Sequence, residues 1–185
     1  MKKRCAWVNL DNPLYIQYHD KEWGRPLKSS QKLFELLCLE GMQAGLSWET
    51  ILNRREDYRE VFMQFDPEKL ANLSDKKLEQ ILQNPKIIRN KRKVYAIRQN
   101  ARAYLDLSKK QSFRNFIWSY VNHQSIVRNP KNMKAVPTST KLSKQMAKDL
   151  KNWGFAFVGE TICYAFMQSA GLVDDHTTDC WLKNQ

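Results

Sequence analysis

Long apolar segments are missing from this 185-residue sequence. No run approaches the ~18 consecutive apolar residues that a membrane-spanning helix requires. The basic residues at positions 2–4 are not followed by an apolar segment, so the start of the chain does not resemble a secretory signal peptide. We therefore expect a cytoplasmic protein with no membrane partner. In that compartment, the four cysteines are expected to be reduced or metal-bound rather than joined in disulfides.

Strand-like patterns are equally scarce, and we find no internal repeat and no low-complexity tract. Apolar residues recur at helical spacing instead, which predicts an all-α protein. Residues 5–30 lack a clean helical period and are expected to form an irregular arm. The predicted helices are one that begins at residue 33 and ends before residue 45, one that begins at residue 90, and others over residues 48–55, 58–64, 67–73, 75–83, 113–121, 141–153 and 160–170. A polar loop is expected over residues 122–137.

Acidic residues are few relative to basic ones: 19 Asp and Glu stand against 31 Lys and Arg, which gives a net charge of +12. An excess of this size attracts polyanions, of which nucleic acid is the commonest. The alternative is a surface of solvated lysines with no polyanionic partner. The length and the 42% apolar content fit a single globular unit, or two closely packed helical lobes.

The stretch over residues 33–48 combines an apolar helix face with an acid. Residues at offsets 0, 3, 4, 7 and 11 share that face, and they are Leu33, Leu36, Leu37, Glu40 and Ala44. A carboxylate in such a position needs a cation or hydrogen-bond donors. The alternative is that Glu40 turns to the surface at a frayed helix end.

A turn follows this helix. Gly45 and Leu46 break it, and Ser47 is placed to cap the next helix, which begins at Trp48. The pattern brings an acid, a Leu on a glycine turn and a large aromatic side chain close together in sequence. Leu46 is either an ordinary core residue or an exposed wedge.

From residue 75 to residue 104, the sequence predicts a short helix, a tight turn and a long helix. The turn contains Asn84-Pro85-Lys86, and Ile87 and Ile88 form an apolar plug before the long helix begins at Asn90. Basic residues surround the start of that helix, and they are Arg89, Lys91, Arg92, Lys93 and Arg98. Arg89, Lys91 and Arg92 are either phosphate ligands or a solvated helix start.

Histidine and cysteine are rare, so each can be weighed individually. His176 and Cys180 are four residues apart, and Cys5 and His19 lie in the predicted arm. Two Cys and two His form a closed tetrahedral zinc set. The alternative is two surface histidines and two ordinary thiols.

Several segments, in order from Arg4 to Cys180, together resemble the DNA-3-methyladenine glycosylase I family of the helix-hairpin-helix glycosylase superfamily. They are Arg4-Cys5-Ala6-Trp7, Tyr18-His19-Asp20, Glu22-Trp23-Gly24, Leu39-Glu40-Gly41, Ala44-Gly45-Leu46-Ser47-Trp48, Ile87-Ile88-Arg89, Phe157-Val158-Gly159, Thr161-Ile162-Cys163-Tyr164, and Gly171-Leu172-Val173 with His176. The resemblance implies a helix-hairpin-helix glycosylase fold over residues 1–185, with termini (1–30 and 172–185) linked by zinc. It also implies a monomer with no protein partner.

The implied activity is removal of N3-methyladenine from alkylated double-stranded DNA. The nucleotide is flipped out of the duplex, and its glycosidic bond is hydrolysed. The rival hypothesis is a non-catalytic nucleic-acid-binding module that is stabilised by zinc and uses the same basic hairpin.

The resemblance also assigns roles to individual residues. It implies one structural zinc ion held by Cys5, His19, His176 and Cys180. The implied base pocket consists of Trp7, Tyr18, Glu40 and Trp48, and Trp23 stays structural. We expect Glu40 to act first in recognition of the base; it is also the candidate catalytic residue, and whether it activates a water is left open. The implied DNA contacts are Gly45 and Leu46, which fill the gap left by the flipped nucleotide, and Lys86, Arg89, Lys91 and Arg92, which bind phosphates. One departure is that Asn84-Pro85-Lys86 lacks the glycine usual in such hairpins.

Overall fold

The structure, a computed structural model, describes residues 2–184. Helices dominate it: α1 (Pro13–Lys21), α2 (Ser30–Gln43), α3 (Trp48–Leu52), α4 (Arg55–Val61), α5 (Pro67–Ala71), α6 (Asp75–Ile81), α7 (Lys91–Ser108), α8 (Phe113–Ser119), α9 (Lys141–Asn152) and α10 (Glu160–Ser169). Short 3-10 turns cover Met63–Phe65, Met133–Ala135 and Trp181–Asn184. The prediction of a mainly helical protein is confirmed. Residues 1 and 185 of the predicted terminal segments lie outside the described residues, and the single-unit organisation stays a prediction.

Helix α2 lies at the centre of the molecule. The hydroxyl of Ser29 caps it by accepting a hydrogen bond from the backbone N–H of Lys32. Leu33 and Leu37 on its apolar face are at most 1% exposed, and the helix packs against α7, α8 and α10. Glu40 shares this buried face and is 2% exposed. The alternative in which Glu40 turns to the surface is therefore wrong.

The expected irregular arm contains a helix, so the prediction for residues 5–30 is wrong in its middle part. The side chain of Asn12 accepts hydrogen bonds from the backbone N–H groups of Leu14 and Tyr15, and Pro13 occupies the first helical position. The buried face of α1 consists of Tyr15, Tyr18 and His19. Because these side chains carry polar atoms, the face does not appear as an apolar period in the sequence.

The absence of strands was also predicted incorrectly. A parallel pair joins β1 (Ile126–Val127) to β2 (Val173–Asp174), with Ile126 opposite Val173. Strands of two residues are too short to show alternation, so the sequence gives no signal for them. The pairing ties the predicted polar loop to the segment that leads into His176.

The two helices α6 and α7 form the predicted hairpin. Asn90 caps α7 by accepting a hydrogen bond from the backbone N–H of Lys93 at 3.1 Å. Ile87 is buried, and the N–H of Ile88 donates to the hydroxyl of Tyr58 at 3.1 Å. The side chain of Lys93 is only 6% exposed, whereas the neighbouring Arg89, Lys91 and Arg92 are exposed.

Buried side chains form two clusters. The larger surrounds α2, α7 and α10, and the smaller joins the two ends of the chain through Cys5, Tyr18, Trp23, Leu52 and Cys180. Trp48 packs against both clusters. The interface between the clusters is where the candidate site lies. Within residues 2–184, no helix has the length and apolar character needed to cross a membrane.

Candidate active site

A cavity of about 250 Å³ opens between the small cluster and helices α2 and α10. Its aromatic walls are Trp7, Tyr15, Tyr18, Trp23 and Trp48. Polar atoms reach it from Glu40, Gln43, Gln168 and Ser169, and Met133 and Val136 form an apolar edge. An aromatic pocket with few polar groups suits a flat, partly apolar ligand.

Glu40 ends a chain of buried hydrogen bonds. The hydroxyl of Tyr18 donates to Oγ of Ser169 at 2.9 Å. The Ser169 hydroxyl in turn donates to Oε1 of Glu40 at 2.6 Å. Within the part of the chain that the structure describes, no Lys, Arg or His nitrogen lies within 4 Å of the Glu40 carboxylate. The carboxylate is thus oriented by hydrogen bonds but is not neutralised by a cation.

Glu35, one and a half turns earlier on α2, provides an internal comparison. It is equally buried, at 3% exposed, yet its oxygens lie 2.6 Å from Nη2 of Arg59 and 3.0 Å from Nζ of Lys32. A second cavity, of about 240 Å³, borders this ion pair. Helix α2 therefore carries two buried acids: Glu35 has protein cations as partners, and Glu40 has none among the residues that the structure describes.

Burial has a large effect on the ionisation of Glu40. It raises the pKa of this carboxyl to about 7, although the hydrogen bond from Ser169 opposes the rise. Burial also raises the pKa of Tyr18 well above its usual value, so its hydroxyl remains a donor. The ionised form of Glu40 is thus held at an energetic cost that a cationic ligand can offset.

This cost predicts how stability depends on pH. Because the folded-state pKa of Glu40 exceeds its unfolded-state value, its contribution to stability is fully present below about pH 4.5 and is lost as the pH rises through about 7. Between pH 5 and pH 8 we expect the free energy of unfolding of the wild type to fall by about 2–3 kcal/mol relative to Glu40→Gln. Urea unfolding of both proteins measures this difference. If the difference in free energy of unfolding between the two proteins is the same at pH 5 and pH 8, the prediction is wrong.

The aromatic side chains surround the carboxylate on several sides. The ring centroids of Tyr18 and Trp48 are 5.5 Å apart, and Trp7 lies 5.1 Å from both Tyr15 and Trp23. The indole N–H groups of Trp7 and Trp48 are buried without a hydrogen-bond partner. The predicted pocket residues Trp7, Tyr18, Glu40 and Trp48 thus line one cavity. Trp23, which was interpreted as structural, lines it too.

The sequence analysis missed several lining residues. Tyr15 belongs to the unrecognised helix α1, and Ser169 is the last residue of α10, 129 positions from the acid that it contacts. Met133 and Val136 come from the predicted polar loop. The Asn12-Pro13 capping pair could have revealed Tyr15, but no local signal marks the others.

The turn after α2 contains a glycine in a left-handed backbone conformation. Gly45 has φ +79°, a conformation that residues with a side chain rarely adopt. Leu46 follows with 36% of its side chain exposed. Leu46 is thus partly exposed at the turn rather than a core residue.

The predicted phosphate-binding cations differ in their surroundings. Nζ of Lys86 lies 2.9 Å from Glu60, and Nζ of Lys91 lies 2.7 Å from Glu79. Arg89 and Arg92 are exposed, and neither makes an ion pair within residues 2–184. Exposed ion pairs are weak, so all four cations remain available to phosphate.

Three predicted metal ligands meet at the junction of the chain ends. Sγ of Cys5, Nε2 of His19 and Sγ of Cys180 lie within 4.8 Å of one another, and all three residues are buried. Burial lowers the pKa of His19, which favours the neutral, metal-binding imidazole. Burial raises the pKa of the Cys5 thiol to about 11, a shift that a bound cation would oppose.

His176 lies beside this group. Its ring centroid is 5.0 Å from that of His19, and its buried Nε2 has no hydrogen-bond partner. Nδ1 of His176 is hydrogen-bonded to Oδ1 of Asp174 at 2.7 Å, and Nδ1 of His19 is hydrogen-bonded to Oδ1 of Asp20 at 2.8 Å. Carboxylates in this position orient metal-binding histidines. The clustered Cys5, His19 and Cys180 thus suit a metal ion, and Nε2 of His176, which lies outside that cluster, is the candidate fourth donor.

Comparisons with known proteins agree with this geometry. A family model described as methyladenine glycosylase matches residues 7–183. The chain is 54% identical to a DNA-3-methyladenine glycosylase from Haemophilus influenzae, with 99% of each protein covered. It is 52% identical to DNA-3-methyladenine glycosylase 1 from Escherichia coli, over 96% of this chain and 95% of that protein.

Solved structures give the same result. A crystal structure of 3-methyladenine DNA glycosylase I matches with a TM-score of 0.95 and 51% identity, over 97% of this chain and 98% of that one. A structure of the Staphylococcus aureus enzyme, described as showing how 3-methyladenine is recognised, matches with a TM-score of 0.94 and 38% identity, over 98% and 97% of the two chains. Because the family model covers almost the whole sequence and the relatives match from end to end, this chain belongs to the methyladenine glycosylase family.

Proposed function

We propose that this protein is a monofunctional, monomeric DNA glycosylase that hydrolyses the N-glycosidic bond of 3-methyladenine in alkylated double-stranded DNA. The names of its relatives support this activity. The observation that carries it is the carboxylate of Glu40, which is buried among aromatic rings and lacks a cationic partner within residues 2–184.

Methylation at N3 gives a nucleotide-bound adenine a positive charge, whereas normal adenine is neutral. An aromatic face such as that of Trp48 attracts a cation by roughly 0.5–2 kcal/mol. A carboxylate about 4 Å from the charge contributes about 4 kcal/mol at an effective dielectric constant near 20. Charge attraction by Glu40 is therefore the larger basis for choosing the damaged base.

In the reaction, the oxygen of water bonds to C1′ of the sugar while the bond from C1′ to the base breaks. The electron pair of that bond leaves with the base, and a proton from the water passes to solvent. Tight binding of the cation does not by itself lower the barrier. We therefore assign Glu40 first to recognition, and to catalysis through orientation of the departing base in the pocket.

The exposed surface beside the pocket is suited to hold the duplex. Leu46 on its glycine turn would occupy the space that the flipped nucleotide leaves. Arg89, Arg92, Lys86 and Lys91 would bind phosphates, which supply affinity without sequence preference.

The two ends of the chain would be joined by one zinc ion held by Cys5, His19, His176 and Cys180. The clustering of three of these donors and the unpartnered Nε2 of His176 support this set. Four protein ligands leave no open position, so the ion supplies a structural crosslink and no reactive water.

An excision assay tests the activity. Duplex DNA treated with a methylating agent is incubated with the protein, and the released bases are separated by chromatography. We expect release of free 3-methyladenine by the wild type and by Glu35→Gln, with a much slower release by Glu40→Gln. Binding of the duplex without release of any base would indicate the non-catalytic module instead.

A further inference from the structure

Lys93 makes contacts unlike those of the other cations near the hairpin. It is the third residue of α7, and its Nζ donates hydrogen bonds to the carbonyl oxygens of Met42, at 2.8 Å, and Ala44, at 2.6 Å. Its side chain is 6% exposed, and no carboxylate lies within 4 Å of it in the described part of the chain. A buried ammonium is thus held by backbone carbonyls alone.

The carbonyl groups of Met42 and Ala44 need hydrogen-bond donors from outside helix α2. Met42 lies in the last turn of α2 and Ala44 directly follows the helix. Carbonyl groups at a helix C-terminus lack partners within the helix, and the helix dipole is negative there. Helix α2 has no basic residue of its own in that turn. Lys93 provides the missing cation from a different element, which fixes the start of α7 against the end of α2.

The turn that Lys93 contacts carries Leu46. The other hydrogen bonds at this turn are local: the N–H of Leu46 donates to the carbonyl of Gln43 at 2.7 Å, and the Gln43 side chain donates back to the carbonyl of Leu46. Among the described residues, Lys93 supplies the only two side-chain hydrogen bonds that reach this turn from another element. Within residues 2–184, no other side-chain hydrogen bond or ion pair joins the turn of Leu46 to the hairpin.

We infer that Lys93 is a positioning residue that sets the distance between the phosphate-binding hairpin and the Leu46 wedge. Arg89 and Arg92 precede it in the same capped turn, so a phosphate held there is held at a defined distance from Leu46. Lys93 itself contacts neither phosphate nor base. This inference rests on the proposed function, because it requires that DNA be bound while a nucleotide is flipped.

A double-mutant cycle tests the inference. The variants are Lys93→Met, which keeps the length of the side chain but removes both hydrogen bonds, Leu46→Gly, and the two combined. The readouts are affinity for a duplex with a central abasic-site analogue and affinity for an adenine cation methylated on N3 and N9. We expect Lys93→Met to weaken duplex binding about tenfold, comparable to the loss of a charge-assisted hydrogen bond.

The decisive quantity is the coupling between Lys93→Met and Leu46→Gly in their effects on duplex affinity. If Lys93 acts through Leu46, the double variant binds the duplex within about twofold of Leu46→Gly alone. Affinity for the methylated adenine cation should stay within about twofold of the wild type in Lys93→Met, because the base pocket does not include Lys93. Additive losses on the duplex, or an equal loss of base affinity, would overturn the inference.

Arg92→Met is the matched control on the same turn of α7. It removes an exposed cation, so it should lower the salt dependence of duplex binding by about one counterion and add to the effect of Leu46→Gly. Lys93→Met should leave the salt dependence unchanged. If Lys93→Met does not fold, Lys93→Gln, which retains an N–H donor, replaces it in the same cycle. Excision by the wild type tests the proposed function separately, so a failure of the cycle is distinguishable from a failure of that proposal.

Discussion

Replacing Glu40 by glutamine is expected to reduce affinity for a cationic adenine by about 100- to 1,000-fold. The physical reason is the loss of an attraction of about 4 kcal/mol between the buried carboxylate and the cation. A glutamine side chain keeps the size of the residue and can still accept the hydrogen bond from Ser169, so the pocket keeps its shape. Isothermal titration calorimetry with an adenine that is methylated on N3 and N9, and is therefore permanently charged, measures the effect.

Two controls distinguish the loss of the Glu40 charge from a change in the shape of the pocket. A neutral analogue, in which a carbon atom replaces the methylated ring nitrogen, should lose less than about fivefold in affinity on the same substitution, because no full charge is involved. Glu35→Gln removes an equally buried acid from the same helix, and it should weaken folding without affecting either ligand. Equal losses for the charged and neutral ligands would show that Glu40 does not select by charge.

Loss of the proposed metal site is expected to have the largest effect on stability. Purified protein should contain one zinc ion per chain by elemental analysis. Cys180→Ser should lose that ion and lower the melting temperature by on the order of 10 °C or more, because structural zinc sites contribute apparent energies of about 10–16 kcal/mol. The expected loss is in folding rather than in the preference of the pocket for a charged base.

Cys163→Ala is the control for a buried thiol outside the cluster. Cys163 is fully buried in α10, and its thiol hydrogen-bonds only to the carbonyl of Val158. This variant should keep the zinc ion and lose stability only through the small cavity that it creates. Protein that contains no zinc and melts at the same temperature with or without a chelator would refute the proposed crosslink.

The features that could be predicted from the sequence are those with a local signature. Glu40 stood out because it interrupts an apolar helix face, and the buried carboxylate in the structure has the predicted position. Asn90 was predicted at the start of α7, which it caps. The scarcity of Cys and His directed attention to Cys5, His19 and Cys180, which the fold brings together.

What could not be predicted depends on contacts between distant segments. Ser169 approaches Glu40 only because α10 packs on α2, and a serine at a helix end has no distinctive pattern of its own. Lys93 lies in a row of cations that look alike in sequence, yet the fold buries it and leaves Arg92 exposed. The strands β1 and β2 are too short to be detected without knowledge of their pairing.

The unpaired carboxylate of Glu40 also bears on how the enzyme releases its product. When the glycosidic bond breaks, the base keeps the bonding electrons and becomes neutral, so the Coulomb attraction that favoured its entry ends with the same step. Only the weaker contacts with the aromatic rings and hydrogen-bonding groups then hold it. An acid with no protein counterion thus favours release of the product, since the pocket holds the damaged nucleotide more strongly than the excised base.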